Sequence, residues 1–140
     1  QVKAKLEVIK NTPMQFFDAH TPNAVSSMKA GAAGLSAISG NFYPEILVWL
    51  CDHVNDPSKQ EEVAWLQREL TRVDPLIHVA YPMSAKFFLQ LRGLPIHAIS
   101  RAHVLELTPK EKTVLHSIQD TLKTWYEKLD IKEVAYEDVV

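Results

Sequence analysis

The segment from Gly31 to Asn41 constrains the fold of this chain more than any other. It reads Gly-Ala-Ala-Gly-Leu-Ser-Ala-Ile-Ser-Gly-Asn, an apolar, small-residue pattern typical of a buried strand that follows a Gly-x-x-Gly turn. The Pro-Glu pair at residues 44 and 45 then begins a helix. A strand that leads directly into a helix is typical of an α/β unit, whose chemistry lies at the carboxyl ends of the strands. We therefore expect residues 39–41 to lie at a functional rim.

A strand that is buried on both faces needs neighbouring strands, and the chain offers few. Residues 14–17 read as one further short strand. Helical periodicity is predicted over 2–9, 22–30, 44–54, 58–74, 82–93 and 108–129. The predicted order is therefore helix, strand, helix, strand, helix and then three more helices. The first five elements form β/α repeats, and the last three resemble a helical appendix.

Capping signals fix the expected ends of the later helices. Ser58 with Glu61, and Thr108 with Glu111, have the spacing of capping boxes. Pro75 should end or kink the helix that precedes it near residue 74. Residues 94–107 read as a loop, and the tail after residue 130 is acidic.

The bulk properties exclude several classes of partner. The chain has 140 residues, a formal net charge of −2 and 46% hydrophobic residues, which is typical of one globular domain with a core. Because it has no basic cluster, we expect no nucleic-acid partner. No apolar run approaches the ~20 residues that span a bilayer, so we expect no membrane partner. No signal-peptide pattern is visible, which favours a cytoplasmic location, with an organelle matrix as the other default.

Few side chains within the chain suggest chemistry of their own. Cys51 is the only cysteine, so no intrachain disulfide can form. The six histidines lack the helical spacing with a carboxylate that metal sites use, so we expect neither a metal nor another cofactor. Lys86, which two phenylalanines follow, is the best candidate for an amine nucleophile, but it falls in the first turn of a predicted helix outside the strands. We interpret it as structural.

The order of several motifs resembles one enzyme family. The run from Gly31 to Asn41 and its Pro-Glu pair are similar to the eighth strand of the dihydrodipicolinate synthase / N-acetylneuraminate lyase family. The stretch Tyr81–Lys86 is similar to the family's Asn-Pro-x-x-x-Lys helix start. Arg101, followed by Leu107–Glu111, resembles the family's approach to its last helix. The resemblance covers residues 2–130.

The resemblance implies a fold and a chemistry. Members of the family are (β/α)8 TIM barrels with a C-terminal helical extension, and they are usually tetrameric. A lysine on strand six forms a Schiff base with pyruvate or a related 2-oxo acid, and a tyrosine on strand four shuttles protons. By this resemblance the chain is α/β and helix-rich, and it is the C-terminal part of a barrel with about two parallel strands. Residues 1–57 would be the last β/α units, 58–130 the helical extension and 131–140 an acidic tail.

The same resemblance implies that the catalytic residues lie upstream. The chain would begin in the helix after strand six, so that it contains neither the nucleophilic lysine nor the catalytic tyrosine. Its start at Gln1, without a Met and directly in a helical pattern, is interpreted as a cut through a larger protein. The expected partners are the missing N-terminal half of the barrel, further copies in a dimer or tetramer, and a small 2-oxo acid substrate. Alone, the chain is expected to be inactive.

Residue by residue, the resemblance leaves a thin set of substrate-binding candidates: Asp18, Ala19, His20, Thr21, Ser36, Ile38 and Ser39. Ala19 replaces the usual glycine after strand seven, and Thr21 stands where sialic-acid lyases have an acidic residue. Ser36 matches a position whose backbone carbonyl faces the catalytic lysine, and Ser39 matches a family Thr or Ser. Ile38 stands where sialic-acid lyases have Ser, which argues against sialic acid as the substrate.

Two alternatives stay open at this point. The cluster at the first strand end can be plain turn chemistry, in which Thr21 caps a helix, Asp18 bonds to backbone and His20 is solvated. The whole chain can also be a non-catalytic helical binding or assembly module, with the segment from Gly31 to Asn41 as a loop or packing strand. Solution behaviour separates the two functions, because two parallel strands with exposed edges favour aggregation or dimerisation.

Overall fold

The computed structural model describes residues 1–101 and 106–134. Its six helices are α1 (Val2–Ile9), α2 (Ala24–Lys29), α3 (Pro44–His53), α4 (Gln60–Ile77), α5 (Met83–Leu91) and α6 (Pro109–Leu129). Two strands, β1 (Phe17–Asp18) and β2 (Gly34–Leu35), lie on either side of α2, and 3-10 turns cover Thr21–Asn23, Ile38–Asn41 and Pro57–Lys59. The described part of the chain is thus a helix-rich α/β structure, as the sequence predicts.

The two strands form a parallel ladder. Phe17 pairs with Gly34 and Asp18 pairs with Leu35, and the ladder continues where the Ser36 N–H donates to the Asp18 carbonyl at 2.8 Å. A Cβ at Gly34 would lie 3.2 Å from the Phe17 ring, which is tighter than ordinary van der Waals contact. The glycine therefore allows the aromatic ring of β1 to lie across β2. The predicted β/α unit with parallel strands is confirmed.

Both strands are shorter than the sequence predicts. The segment from Gly31 to Asn41 was expected to be one buried strand, but only Gly34–Leu35 is paired, and Ile38–Asn41 forms a 3-10 turn. The turn is closed by the Ser39 carbonyl, which accepts from the N–H groups of Phe42 and Tyr43 at 3.0 and 3.1 Å. The strand predicted over 14–17 is likewise shifted to Phe17–Asp18, the stretch that lies opposite β2.

The helix ends confirm one predicted cap and correct two other expectations. The Thr108 side chain accepts from the Glu111 N–H, and Glu111 reaches back to the Thr108 N–H, which completes the predicted capping box of α6. The capping box predicted for Ser58 and Glu61 is not formed, since α4 begins at Gln60 without a side-chain cap. Asp56 instead caps the 3-10 turn Pro57–Lys59 that precedes α4, and its carboxylate accepts from the Ser58 N–H and hydroxyl at 2.8 Å. Pro75 neither ends nor breaks α4, since the helix continues to residue 77 with its apolar stripe buried on both sides of the proline.

One hydrophobic cluster joins the α/β unit to the later helices. It extends from α2 to the end of α6, and α4 packs against α2, α3 and α6. The Tyr43 and Trp125 rings are nearly perpendicular with centroids 5.5 Å apart, and the Phe42 and Phe88 ring centroids are 5.4 Å apart. Residues just after the second strand end are therefore fixed by side chains of α5 and α6.

A buried ion pair adds a polar link between the same regions. The Arg92 side chain is 2% exposed, and it forms a charge-assisted bond with the Glu45 carboxylate, which is 13% exposed. Arg92 also donates to the Phe42 carbonyl at 2.8 Å. Because Glu45 lies in the first turn of α3, this pair ties the end of α5 to the start of the helix that follows the rim.

The remaining segments contain no helix or strand where the structure describes them. The predicted loop over 94–107 is irregular in residues 94–101 and 106–107, and its residues 102–105 lie outside the described part. Of the predicted acidic tail over 131–140, residues 135–140 also lie outside it. Among the helices of the described ranges, none combines the length and apolar character needed to cross a bilayer.

Candidate functional site

The candidate site lies where β1 and β2 end. Because the strands are parallel, their carboxyl ends lie at the same edge of the sheet, where α/β proteins place their binding loops. The Thr21 and Ser39 hydroxyls, one after each strand, are 2.8 Å apart and hydrogen-bonded. Thr21 is 2% exposed and Ser39 is fully buried. The structure therefore brings these two predicted residues together and joins the strand ends through them.

Helix α4 fixes the loop after β1 from the other side. The Gln67 amide nitrogen donates to the Thr21 carbonyl at 3.2 Å, while its oxygen accepts from the Val25 N–H at 2.8 Å. The Thr21 side chain caps no helix, which corrects the alternative that it serves as an N-cap. Its hydroxyl is bonded to that of Ser39, so the residue holds the loop backbone in place behind the rim.

Asp18 is a buried carboxylate with one free oxygen. It is 7% exposed, and its Oδ1 accepts from the His20 N–H at 3.1 Å. Its Oδ2 has no hydrogen-bond partner within the described residues. The alternative that Asp18 bonds to backbone is thus correct for one oxygen. Ala19 and His20 are exposed, so the loop presents its backbone and the imidazole outward.

The predicted residues that follow β2 differ in their exposure. Ser36 is exposed, and its N–H is used by the ladder to β1. Ile38 is half-buried and packs against the hydrophobic cluster. Asn41, at the end of the following 3-10 turn, donates from its side chain to the Tyr81 hydroxyl at 3.3 Å. The connection between α4 and α5 therefore reaches the rim.

A surface cavity of about 700 Å³ lies beside β1, between α1 and α2. Asp18, Ala19 and His20 line it, together with Ser27 of α2 and the lysines of α1. Thr21, Ser36, Ile38 and Ser39 are not among its lining residues. The seven predicted positions therefore do not converge on one pocket: three line the cavity, and four lie at or behind the joined strand ends.

The amines nearest the strand ends are those of Lys3 and Lys5, which line the cavity, and both side chains are exposed. Lys86 donates to the Ile99 carbonyl, and this supports the interpretation of the lysine as structural. The Lys5 ammonium lies 5.4 Å from the centroid of the Phe16 ring. Within residues 1–101 and 106–134, no three His, Cys, Asp or Glu side chains are grouped in a way that could hold a metal ion.

Two further ionisable groups lie away from the rim and are unsuited to react. Burial raises the pKa of the Tyr43 phenol, and the Asp74 carboxylate raises that pKa further. The pKa of the Cys51 thiol is raised by burial and then by Asp52, so the reactive thiolate is disfavoured. Tyr43 is buried at the start of α3, where its ring packs on Trp125.

Sequence reasoning missed Gln67 and Tyr81, the two side chains that reach the rim from the helical part. Gln67 lies on the partly exposed polar side of α4, where nothing in the sequence pattern distinguishes it from a solvated residue. The sequence indicates Tyr81 only as part of a helix-start motif. The two contacts join residues 40 and 46 positions apart, and periodicity carries no information on such pairs.

Comparison with known proteins adds no relative from which a role could be inferred. No family model, curated protein or solved structure matches the chain. The interpretation of the site therefore depends on its geometry and on the order of the motifs in the sequence.

Proposed function

We propose that this chain is the C-terminal part of a Schiff-base-forming (class I) aldolase or lyase barrel that acts on pyruvate or a related 2-oxo acid. The observation that supports it is the β1–α2–β2–α3 order with parallel strands, whose carboxyl ends are joined by the Thr21–Ser39 hydrogen bond. In barrels of this kind the loops at the carboxyl ends of the strands bind the substrate.

The lysine and the proton-shuttling tyrosine come from strands outside this chain. The lysine amine attacks the 2-oxo carbon, water leaves, and the imine withdraws electrons from the neighbouring carbon. The present residues then have two roles. Exposed His20 and Ser36 contact the substrate, while buried Thr21 and Ser39 hold the two loops in one geometry.

Ile38 bears on the substrate class. It is half-buried and packs into the hydrophobic cluster, so it offers no hydroxyl to a polyhydroxylated chain. A site that binds a sugar acid uses hydrogen-bonding side chains, and it loses affinity when they are absent. We therefore propose a small hydroxy- or oxo-acid, and not sialic acid, as the aldol partner.

The proposed partners are the N-terminal half of the barrel and further copies of the assembled protein. Phe17 of β1 is 49% exposed although it lies in the centre of the short ladder. A parallel sheet is ordinarily covered on both faces. The exposed ring therefore supports a further part of the protein that covers this face of the sheet.

A non-catalytic assembly module remains the second proposal. The observation that favours it is the single core that connects α2, α3, α4, α5 and α6, with Trp125, Leu70 and Ile46 fully or almost fully buried. Such a core can support cooperative folding without further strands. Under this proposal the strand ends hold no substrate.

Borohydride trapping tests the proposed function. The polypeptide encoded from the start of the reading frame that contains this chain is incubated with pyruvate and sodium borohydride, digested and mapped by mass spectrometry. We expect one stable pyruvate adduct, on a lysine that precedes Gln1. The absence of an adduct, or an adduct on a lysine within residues 1–140, contradicts the proposal. Residues 1–140 alone, treated in the same way, are the control and should stay unmodified.

A further inference from the structure

The side-chain amide of Gln67 in α4 has both of its polar atoms engaged. Its Nε2 donates to the Thr21 carbonyl and to the Thr71 hydroxyl oxygen, both at 3.2 Å, and its Oε1 accepts from the Val25 N–H at 2.8 Å. Thr21 follows β1, and Val25 lies in the first turn of α2. One half-buried amide of α4 therefore holds the connection from β1 to α2 at two points.

The polarity of these partners fixes the orientation of the amide. A carbonyl can only accept and a backbone N–H can only donate, so a flipped amide would place oxygen against oxygen at Thr21 and hydrogen against hydrogen at Val25. The Thr71 hydroxyl donates its proton to the Gln67 carbonyl at 2.8 Å, and it therefore offers a lone pair to Nε2. Glutamine satisfies both backbone groups, whereas glutamate, which has only acceptors, can satisfy one.

One of the two backbone bonds is a helix cap. α2 has no side-chain cap of its own, and the Val25 N–H is among the first-turn groups that find no partner within their helix. Gln67 Oε1 supplies this partner from a different helix. The cap accounts for a contribution of Gln67 to stability, and a glutamate at the same position would keep it.

The other backbone bond acts on the loop that carries the predicted substrate-binding residues. The Thr21 carbonyl also accepts from the Ala24 N–H, so the local turn does not depend on Gln67. The bond from Nε2 adds a tie between this turn and α4. His20, which precedes Thr21, is exposed, and its N–H is bound to the Asp18 carboxylate at 3.1 Å. The tie thus fixes the backbone that carries the exposed imidazole.

We propose that Gln67 is a positioning residue for the proposed reaction, because its Nε2 holds the loop after β1 where His20 meets the substrate. The inference deepens the proposed function and rests on it for the substrate, a 2-oxo acid such as pyruvate. A loop that is held in place before binding loses less conformational freedom when the substrate arrives, and this raises affinity. Gln67 acts through the loop and not by contact with the reacting atoms.

Gln67→Glu separates the two bonds. The carboxylate still accepts from the Val25 N–H, but it cannot donate to the Thr21 carbonyl. The residues three and four positions away in α4 carry no charge, so they neither attract nor repel the new carboxylate. They are Val63, Ala64, Leu70 and Thr71.

Gln119→Glu is the matched control. The Gln119 Nε2 of α6 donates to the Leu91 carbonyl at 3.0 Å, and this side chain is also half-buried, so the substitution removes the same kind of bond between α5 and α6. We expect the two variants to lower the melting temperature by similar amounts. An effect on substrate that only Gln67→Glu shows then reports the position of the loop and not a loss of stability.

The measurement is the rate at which borohydride fixes pyruvate on the polypeptide encoded from the start of the reading frame, over a range of pyruvate concentrations. We expect Gln67→Glu to raise the half-saturating concentration at least ~5-fold and to change the limiting rate less than ~2-fold, because the reacting amine comes from another strand. Gln119→Glu should change neither value. Hydrogen exchange over residues 18–23 of the same polypeptides should be faster in Gln67→Glu alone.

A second variant keeps the glutamine. Thr71→Val removes the hydroxyl that orients the amide, and it should raise the half-saturating concentration in the same direction by a smaller factor. This variant decides the question if Gln67→Glu does not fold, as judged by circular dichroism. An unchanged half-saturating concentration in Thr71→Val would then overturn the inference.

Three results with folded Gln67→Glu overturn the inference: an unchanged half-saturating concentration, an equal increase in Gln119→Glu, or unchanged exchange over residues 18–23. Failure of the proposed function has a different signature, since the unsubstituted polypeptide itself then forms no adduct, and the positioning role is rejected with it. An adduct in the unsubstituted polypeptide with equal half-saturation in all variants retains the aldolase and rejects the role of Gln67.

Discussion

The hydrogen bond between Thr21 and Ser39 can be measured by a double-mutant cycle. Thr21→Val keeps the shape of the side chain and removes its hydroxyl, and Ser39→Ala removes the partner. Each hydroxyl is buried, so each single variant leaves one polar atom in the interior without the bond that is 2.8 Å long in the native chain. The expected loss is about 1–3 kcal/mol of unfolding free energy for each single variant.

The double variant should lose much less than the sum of the two single losses. It leaves neither hydroxyl unpaired, so we expect a coupling energy of about 1 kcal/mol between the two sites. Urea unfolding supplies the free energies, with tryptophan fluorescence, to which buried Trp125 contributes, and far-UV circular dichroism as the two probes. At a slope of about 1–3 kcal/mol per molar urea, losses of this size are readily resolved.

Additive losses would refute the reasoning. If the double variant loses the sum of the single losses to within about 0.3 kcal/mol, the two hydroxyls do not support each other, and the rim is not joined in this way. Thr113→Val, on the exposed face of α6, is the control for the substitution itself, since its hydroxyl bonds only to a carbonyl of its own helix. It should change stability by less than about 0.5 kcal/mol.

Three further predictions concern stability. Arg92→Met should cost about 3–5 kcal/mol in urea unfolding, because it leaves the Glu45 carboxylate buried without its cation. Glu69→Gln should lower stability by about 1 kcal/mol near neutral pH. Hydrogen bonds from Arg72 hold the pKa of Glu69 below its usual 4.5, so this contribution is present above 4.5 and is lost as the pH falls through the lower folded-state value. Gly31→Ala should cost about 1–2 kcal/mol, because φ is +112° there.

Each of these predictions has a control or a contradicting result. Lys123→Met removes a cation from an exposed pair and should be nearly neutral, so an equal loss in Arg92→Met would show that burial of the pair is unimportant. A stability difference for Glu69→Gln that persists in strong acid contradicts its assignment to ionisation. Gly40→Ala, where a Cβ would lie 3.8 Å from Leu47 and φ is not positive, should cost less than Gly31→Ala.

The sequence predicts the helices and their order well, because periodicity and capping are local. The box at Thr108 and Glu111 and the apolar stripes of α4 and α6 require only residues three or four positions apart. The predicted length of β2 is wrong because strand pairing is not local. An apolar pattern reports that a strand can be buried, while pairing depends on a neighbour, and here the ladder extends over Gly34–Leu35 alone.

The sequence predicts which polar residues follow each strand, and it does not predict what those residues contact. The polar residues after each strand were identified from their place at the carboxyl ends, but their partners depend on contacts between distant parts of the chain. Thr21 bonds to Ser39 and not to the helix it precedes, and Gln67 of α4 fixes its carbonyl. The direction of a side chain at a strand end, and hence whether it faces a cavity or the core, is not encoded in the local pattern.

Hydrogen exchange at the Phe17 amide tests the central claim most directly, namely that the two strands belong to a larger sheet. The measurement compares residues 1–140 alone with the polypeptide encoded from the start of the same reading frame, under identical conditions. Because its N–H faces the free edge of β1, we expect fast exchange in the shorter chain and protection greater by at least ~100-fold in the longer one. Equal exchange in the two polypeptides would contradict the claim, since no strand would then cover that edge.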